Sequence, residues 1–580
     1  MREITFEECP RPQLVREGWK CLDGTWGFCF DPDNKGETQG YAHGFEKEYD
    51  ILVPFAYQSR ASGIGLEKRC DNVWYARTLT VEKRAGRRYV LHLEGADWRV
   101  KVYMNRQLAG TDSGGYHRMS FDITNCLHAG DNLLVIKCED SYSAEQPRGK
   151  QRREDVSRGC FYVDTTGIWK TVWLEETGTD YITGVSAEPS LADGSVLLRI
   201  GVHAEKGVCL ETRITYAGNE AARTVSRIRS ATVRQCIKLP EPLHLWEVGH
   251  GRLYDVEVRL LDGETVLDTV RSYFGMREIR AENGRIFLNG RPLYQKLILD
   301  QGYFGECQLT PPSPRALYED IQTMLAFGFN GARKHQKLED ERFYYYADAM
   351  GYLVWAEMPS VFECTARSRR TFRREWRCLV EQLRSHPCVI VWVPFNESWG
   401  VKQVRTDRVQ QRFVNEIYYM TKDLDPSRLC VCNDGWEHTI GDLLTIHDYD
   451  QDGARLNEDF DALEKALADR WGHHPRGAYA QGYRYSGQPV LFTEFGGTAY
   501  AKNLIGDNWG YGNAVKDDGE YLARLKGLFD ALNALKYSCG YCFTQLSDVQ
   551  QEVNGLLTEQ AREPKVSPEL IKAMQDVRHE

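Results

Sequence analysis

The pattern of apolar and polar positions changes character along the chain. Over residues 1 to about 178, short runs alternate apolar and polar positions, as in Arg99-Val-Lys-Val-Tyr-Met104 and Asn132-Leu-Leu-Val-Ile-Lys137. Gly, Asn and Asp turns separate them, and period-two alternation predicts half-buried strands, so this stretch reads as all-β. The tract near 143–160 (Ser-Ala-Glu-Gln-Pro-Arg-Gly-Lys-Gln-Arg-Arg at its start) is polar and charged and reads as a loop. Gly167-Ile168-Trp169 then opens a strand, Lys170-Thr-Val-Trp-Leu174. From about 179 to 277 alternation recurs in Val196-Leu-Leu-Arg-Ile-Gly-Val202 and Leu253-Tyr-Asp-Val-Glu-Val-Arg-Leu260, which suits a second, compact sandwich.

After Phe274-Gly275-Met276-Arg277, helical periods alternate with short apolar runs. The spacing predicts helices near 313–327, 339–350 and 403–423, a strand at Tyr352-Leu-Val-Trp-Ala356, and a last strand near 538–546. Strand and helix alternating from 278 to 580 predict a (β/α)₈ barrel. No internal repeat or low-complexity segment interrupts the chain.

Two of the apolar runs end in a carboxylate. Val389-Ile-Val-Trp-Val-Pro-Phe395 leads into Asn396-Glu397-Ser398-Trp399-Gly400, and Pro489-Val-Leu-Phe492 leads into Thr493-Glu494-Phe495-Gly496-Gly497. Continuous apolar runs suit strands buried on both faces of a parallel sheet. A carboxylate at the end of such a strand is costly unless it lies at a polar mouth. In a barrel, the C-terminal strand ends are where active sites are built. Two carboxylates facing one another there are the equipment for cleaving a glycosidic bond.

Length and composition narrow the picture. At 580 residues the chain exceeds one core and predicts about three domains. With 42% apolar and 27% charged residues, it reads as an ordinary soluble protein. The net charge of -10 argues against a nucleic-acid partner. No run approaches the ~20 apolar residues of a membrane span. The start, Met1-Arg-Glu-Ile-Thr-Phe-Glu-Glu-Cys9, lacks a signal-peptide pattern, and the 17 cysteines show no framework spacing, so a cytoplasmic location is expected. Without CxxC or HExxH, neither a metal nor a cofactor is expected.

The residues together resemble glycoside hydrolase family 2, the group of β-galactosidases, β-glucuronidases and β-mannosidases. The resemblance lies in Asn72-Val-Trp-Tyr-Ala-Arg77, Gly167-Ile-Trp-Lys-Thr-Val-Trp-Leu-Glu175, Phe287-Leu-Asn-Gly-Arg-Pro292 and Gly328-Phe-Asn-Gly-Ala-Arg333. It is strongest in Asn396-Glu397-Ser398 and Thr493-Glu494-Phe495-Gly496-Gly497. It implies a multidomain chain: a jelly-roll sandwich over 1–178, an immunoglobulin-like sandwich over 179–277 and the catalytic (β/α)₈ barrel over 278–580.

The resemblance also implies roles. Glu397 would be the general acid/base and needs a raised pKa. Asn396 would bind the sugar 2-hydroxyl. Glu494 would be the nucleophile, with Tyr449 of His447-Asp-Tyr-Asp450 as a donor and Arg333 as a support. Lys334, His335 and Asp300 are expected near the sugar, with Trp399 and Trp436 as stacking or packing aromatics and Glu357 as an orienting group. The implied reaction is exo-acting, retaining hydrolysis of a carbohydrate or glycoconjugate, with a homo-oligomer a further expectation. A non-catalytic carbohydrate-binding protein or a transglycosylase on the same scaffold are the competing readings.

Departures from the family pattern bear on the sugar. Uronide-cleaving members usually carry Asn-x-Lys after the last barrel strand, and the stretch here is Glu552-Val553-Asn554. A glutamate there would repel a carboxylate. Arg333, Lys334, Lys337 or Arg484 could supply a cation instead. The acidic residue that holds a cation in larger β-galactosidases has only an offset counterpart in Asp164, and the last strand, Tyr541-Cys-Phe-Thr-Gln-Leu546, lacks the expected Trp. The sequence ranks β-galactoside first, then β-glucuronide or β-galacturonide, then other pyranosides such as β-L-arabinopyranoside.

Overall fold

The alternating runs become antiparallel sheets. The computed structural model describes residues 4–204, 207–471, 475–501 and 507–575. In the first sandwich, Asn72–Val81 lies between Gly24–Phe30 and Gly130–Glu139 in a six-stranded sheet. A four-stranded sheet that includes Arg87–Leu93 and Val172–Gly178 shares its core. The alternation decides which face is buried: Val100, Val102 and Met104 are inside, and Arg99 points out. The second sandwich pairs a three-stranded sheet around Ser195–His203 with a four-stranded sheet around Tyr254–Asp262. Val196, Leu198 and Ile200 meet Val256, Val258 and Leu260 between them.

Eight parallel strands follow: β1 (Gln295–Asp300), β2 (Gly331–Lys334), β3 (Leu353–Glu357), β4 (Val389–Val393), β5 (Leu429–Cys430), β6 (Leu444–His447), β7 (Val490–Gly496) and β8 (Ser538–Thr544). They pair in the order β5-β4-β3-β2-β1-β8-β7-β6. The β5–β6 seam is bridged by single bonds, Asp442 N to Cys430 O at 3.0 Å and His447 N to Gly435 O at 3.4 Å. Every residue of β3, β4 and β7 is buried, as continuous apolar runs predict.

Helices α1 (Pro314–Ala326), α2 (Glu341–Met350), α3 (Ala366–Leu383) and α4 (Arg408–Leu424) follow the first four strands. They begin where Ser313, Asp340, Thr365 and Asp407 cap a backbone N–H with a side-chain oxygen. The expected helix from 403 therefore starts only after Asp407. Helices α5 (Gly453–Phe460), α6 (Leu463–Ala466), α7 (Asp518–Ala534) and α8 (Pro568–Gln575) accompany β6 to β8. Between β5 and β6 the described residues form no helix, so alternation is incomplete there. The segment Val431-Cys-Asn-Asp-Gly-Trp-Glu-His438 has no helical apolar period, and it carries side chains to the mouth instead.

The charged tract of the first sandwich is a loop, as its composition predicts, exposed over Arg153–Val156 but buried at Gln146–Gly149 and Gln151–Arg152. Residues 141–164 lie over the C-terminal mouth of the barrel. The N–H groups of Arg148 and Gly149 donate to Ser360 O at 3.0 and 3.2 Å, and those of Phe362 and Glu363 donate to Ala144 O at 2.9 and 3.1 Å. Gln551 Nε2 and Trp509 Nε1 donate to Gly159 O. The charges are paired inside: buried Arg148 binds Asp140 at 2.8 Å and Asp164 at 3.2 Å. Asp164 also meets Arg69 and Arg152, so it is spent on arginines.

Candidate active site

The chain leaves β4 through Pro394 and Phe395 and turns sharply. Glu397 and Ser398 both take left-handed backbone, with φ of 52° and 57°. Such conformations cost about 1–3 kcal/mol each unless neighbours over-determine them. Here they do: Glu397 N donates to Asp434 O at 2.9 Å and Ser398 N to Asn433 Oδ1 at 2.9 Å. Ser398 Oγ donates to Glu437 Oε2 at 2.7 Å, and Arg476 donates to the same oxygen at 2.7 Å. The helix-free segment after β5 is thus the clamp that aims Glu397 at the mouth.

Glu494 rises from β7 opposite. Arg333 on β2 donates through Nη1 to its Oε1 at 2.8 Å, and the Tyr449 hydroxyl donates to its Oε2. Tyr449 is stacked flat on Tyr511, centroids 3.4 Å apart. His447 at the end of β6 stands between the two glutamates, with Nδ1 2.9 Å from Glu397 Oε1 and 3.5 Å from Glu494 Oε2. A carboxylate oxygen of each glutamate and a ring nitrogen of His447 all lie within 4.8 Å of one another. Gly435 has to be glycine, because its φ is +99° and a Cβ there would meet His447 Nδ1 at 2.6 Å.

Arg333 is fully buried and holds four side chains at once. Its Nε lies 2.7 Å from Glu357 Oε2 and 2.9 Å from Asp434 Oδ2, and its Nη2 donates to Asn396 Oδ1 at 2.7 Å. Asn396 is thereby oriented beside Glu397. His335 Nδ1 lies 3.0 Å from Glu357 Oε1, and burial, then Lys150 and Arg333, hold this histidine well below its ordinary pKa.

The two glutamates titrate in opposite directions. Burial and then the charge of Glu494 raise Glu397 above its ordinary value, against the pull of His447. Burial would also raise Glu494, but His447 and Arg333 outweigh it and bring Glu494 to about 2. Burial disfavours the His447 cation, but Glu494, Asp434 and Glu397 raise its pKa to about 10. A protonated His447 donates its Nδ1 proton to Glu397 and presents its charge to Glu494 at 3.5 Å.

Glu397, Glu494, Asn396, Arg333 and Tyr449 are brought together, with His335 beside Glu357. Lys334 and Asp300 are not with them. Arg333 points into the barrel, so its neighbour on β2, Lys334, points outward into the helix layer. There Lys334 binds Asp300 at 2.7 Å and Glu339 at 2.8 Å, over the Phe343 ring of α2. Trp399 packs at the rim against Phe161 and Phe362, centroids 5.4 and 5.8 Å away, joining the 141–164 segment to the barrel. Trp436 lies edge-on to His447 at 5.7 Å. Sequence reasoning assigned no role to Asp434, His447, Tyr511 or Lys150. Asp434 lies two residues before Trp436, and His447 stands inside His447-Asp-Tyr-Asp450. Tyr511 and Lys150 lie on loops with no pattern to mark them.

Two sandwiches leading into a parallel barrel with paired glutamates at its mouth are the architecture of a multidomain glycoside hydrolase. The family descriptions agree region by region: the family 2 sugar binding domain matches residues 19–174, glycosyl hydrolases family 2 matches 181–277, and the family 2 TIM barrel domain matches 279–521. The chain belongs to glycoside hydrolase family 2. It is 21% identical to a β-glucuronidase of Paenibacillus borealis, over 97% of this chain and 98% of that one. It is 26% identical to a β-galactosidase of Thermoanaerobacter pseudethanolicus, over 56% of this chain and 44% of that one. The chain thus spans less than half the length of some curated relatives it matches and nearly all of others. The fold is shared with a solved β-glucuronidase of Lactobacillus rhamnosus, with a TM-score of 0.81, 21% identity and 97% of each chain covered.

Proposed function

We propose that this chain is an exo-acting, retaining β-glycosidase and that its glycone is a uronic acid, β-glucuronide in first place. The observation that carries the mechanism is the spacing of the two carboxylates. Oxygens of Glu397 and Glu494 lie within 4.8 Å. Retaining enzymes hold their carboxyl groups about 5–5.5 Å apart, whereas inverting enzymes need about 6.5–9.5 Å to admit a water. The opposed pKa shifts divide the labour. Glu494 is ionised and held by Arg333 and Tyr449, ready to attack the anomeric carbon and form the glycosyl-enzyme. Glu397 keeps a proton for the leaving oxygen, then takes one from the water that hydrolyses the intermediate. Asn396, fixed by Arg333, faces the 2-hydroxyl.

For the glycone, the relatives named β-glucuronidase weigh toward a uronide over the β-galactoside that the sequence ranks first. Against this stands Glu552, whose charge is opposed by Lys150. Its Oε1 accepts from Asn554 at 3.0 Å and its Oε2 accepts from the Tyr162 hydroxyl, so its carboxylate is engaged by the protein.

The test is hydrolysis of p-nitrophenyl β-glucuronide, galacturonide and galactoside, with azide rescue of Glu494→Gly and Glu397→Gly. Azide should yield an α-glycosyl azide from the first variant and a β-glycosyl azide from the second. The reverse products would exchange the two roles, and preferential cleavage of the galactoside would overturn the uronide.

A further inference from the structure

A uronide needs a cation at its carboxylate, and the cations that the sequence offers are already engaged. Arg333 is divided among Glu357, Asp434, Glu494 and Asn396. Lys334 is held by Asp300 and Glu339. Lys337 donates to Glu339, Gly302 O and Leu309 O, each within 2.8 Å. Arg484 is exposed and lies just ahead of β7, at the opposite end of the barrel from the mouth.

Lys150 is different. It comes from the first sandwich, on the segment that crosses the mouth. Its carbonyl accepts from Tyr162 N at 3.0 Å, and Tyr162 reaches on to Gln301 at the end of β1 and to Glu552 beyond β8. The preceding Gly149 is pressed against the chain after β2: a Cβ there would meet Gln336 O at 2.5 Å, and its φ is +57°. Lys150 is thereby pinned between His335-Gln336 and the Glu552–Asn554 stretch. It is half-buried, and among the described residues no acid lies within ion-pair distance of its ammonium and no acceptor takes its protons. Burial opposes its charge, but Glu552, Cys160, Glu494 and Glu397 outweigh it and raise its pKa.

We propose that Lys150 is the carboxylate-binding cation of this pocket, supplied by the sugar-binding sandwich in place of the lysine missing after β8. The inference rests on the uronide reading above. A substrate carboxylate would give Lys150 a charge-assisted partner in a partly desolvated site. A neutral glycone of the same shape would bury it without one, which turns the lysine into a device for rejection as well as affinity.

The experiment compares kcat/KM of wild type, Lys150→Met and Lys150→Arg on p-nitrophenyl β-glucuronide and β-glucoside, with competition by free D-glucuronate. Lys150→Met should lose about 100-fold or more in kcat/KM on the uronide. The uronide-to-glucoside ratio should fall with it, competition by glucuronate should weaken in parallel, and Lys150→Arg should restore part of each. An equal loss on both substrates, or an unchanged ratio in a variant that melts like wild type, would overturn Lys150 alone. If wild type cleaves no uronide and glucuronate does not compete, the substrate reading and this inference fall together.

Discussion

His447 Nδ1 sits 2.9 Å from Glu397 Oε1 and, with the same atom, 3.5 Å from Glu494 Oε2. One imidazolium therefore couples the proposed acid to the proposed nucleophile. Asp434 faces the other ring nitrogen as a charge, with Nε2 3.4 Å from Oδ2.

A pH profile follows. Glu494 titrates near 2 and Glu397 above its ordinary 4.5, so the pair holds one proton, on Glu397, between those limits. Activity should fall on the acid side as Glu494 takes a proton and on the alkaline side as Glu397 loses one. His447→Gln removes a cation that lowers both, so both limbs of kcat/KM should move to higher pH. Glu494→Gln removes the charge that raises Glu397, and carbon NMR of Glu397 should show its titration moving down. An unchanged Glu397 titration would contradict the coupling.

Replacing the acid should discriminate leaving groups. Glu397→Gln leaves Glu494 with its donors Arg333 and Tyr449, so a leaving group that needs no proton can still depart. Loss of general acid catalysis should slow alkyl glycosides by about 10²–10⁴-fold. Glycosylation from a dinitrophenyl glycoside should change far less in pre-steady-state kinetics. A uniform loss across leaving groups would count against Glu397 as the acid.

Removing one arm of the turn clamp should cost rate before binding. Ser398→Ala deletes the 2.7 Å bond to buried Glu437. It should lower stability by about 1–3 kcal/mol. The left-handed backbone of Glu397 would lose a constraint, and kcat should fall about tenfold with KM little changed, since misaimed groups act on the transition state. A rise in KM alone would argue that Ser398 serves substrate binding instead.

Trp399 should behave as a seam residue. It packs on Phe161 of the first sandwich, and Trp399→Ala should loosen residues 141–164 rather than remove a sugar platform. Hydrogen exchange in that segment should rise roughly tenfold, with the β4 amides unaffected. Unchanged exchange with a weakened KM would restore the stacking role.

The barrel was legible in the sequence because buried parallel strands are continuous apolar runs, and β3, β4 and β7 stand where such runs stand. Glu397 and Glu494 were legible because each closes one. Asp300 and Lys334 were misplaced for a related reason: adjacent residues on a strand face opposite ways, and nothing in the local sequence says that Arg333 takes the inward side. The clamp around Asp434 was hidden because the segment after β5 has no regular period. Lys150 was hidden because a lysine in a charged tract looks like any other until Arg148 and Arg152 are seen to be paired with Asp140 and Asp164.

The crossing of the first sandwich over the barrel mouth has a consequence for how such an enzyme can change. The proposed nucleophile stands within β7 and the proposed acid on the clamped turn after β4, where each substitution disturbs buried packing. The segment that roofs the pocket is borrowed from a separate folding unit and is tied down mainly by its own backbone and a few arginines. A change of preferred glycone then needs only a new roof, a short stretch of chain exchanged over a barrel whose strands stay as they are.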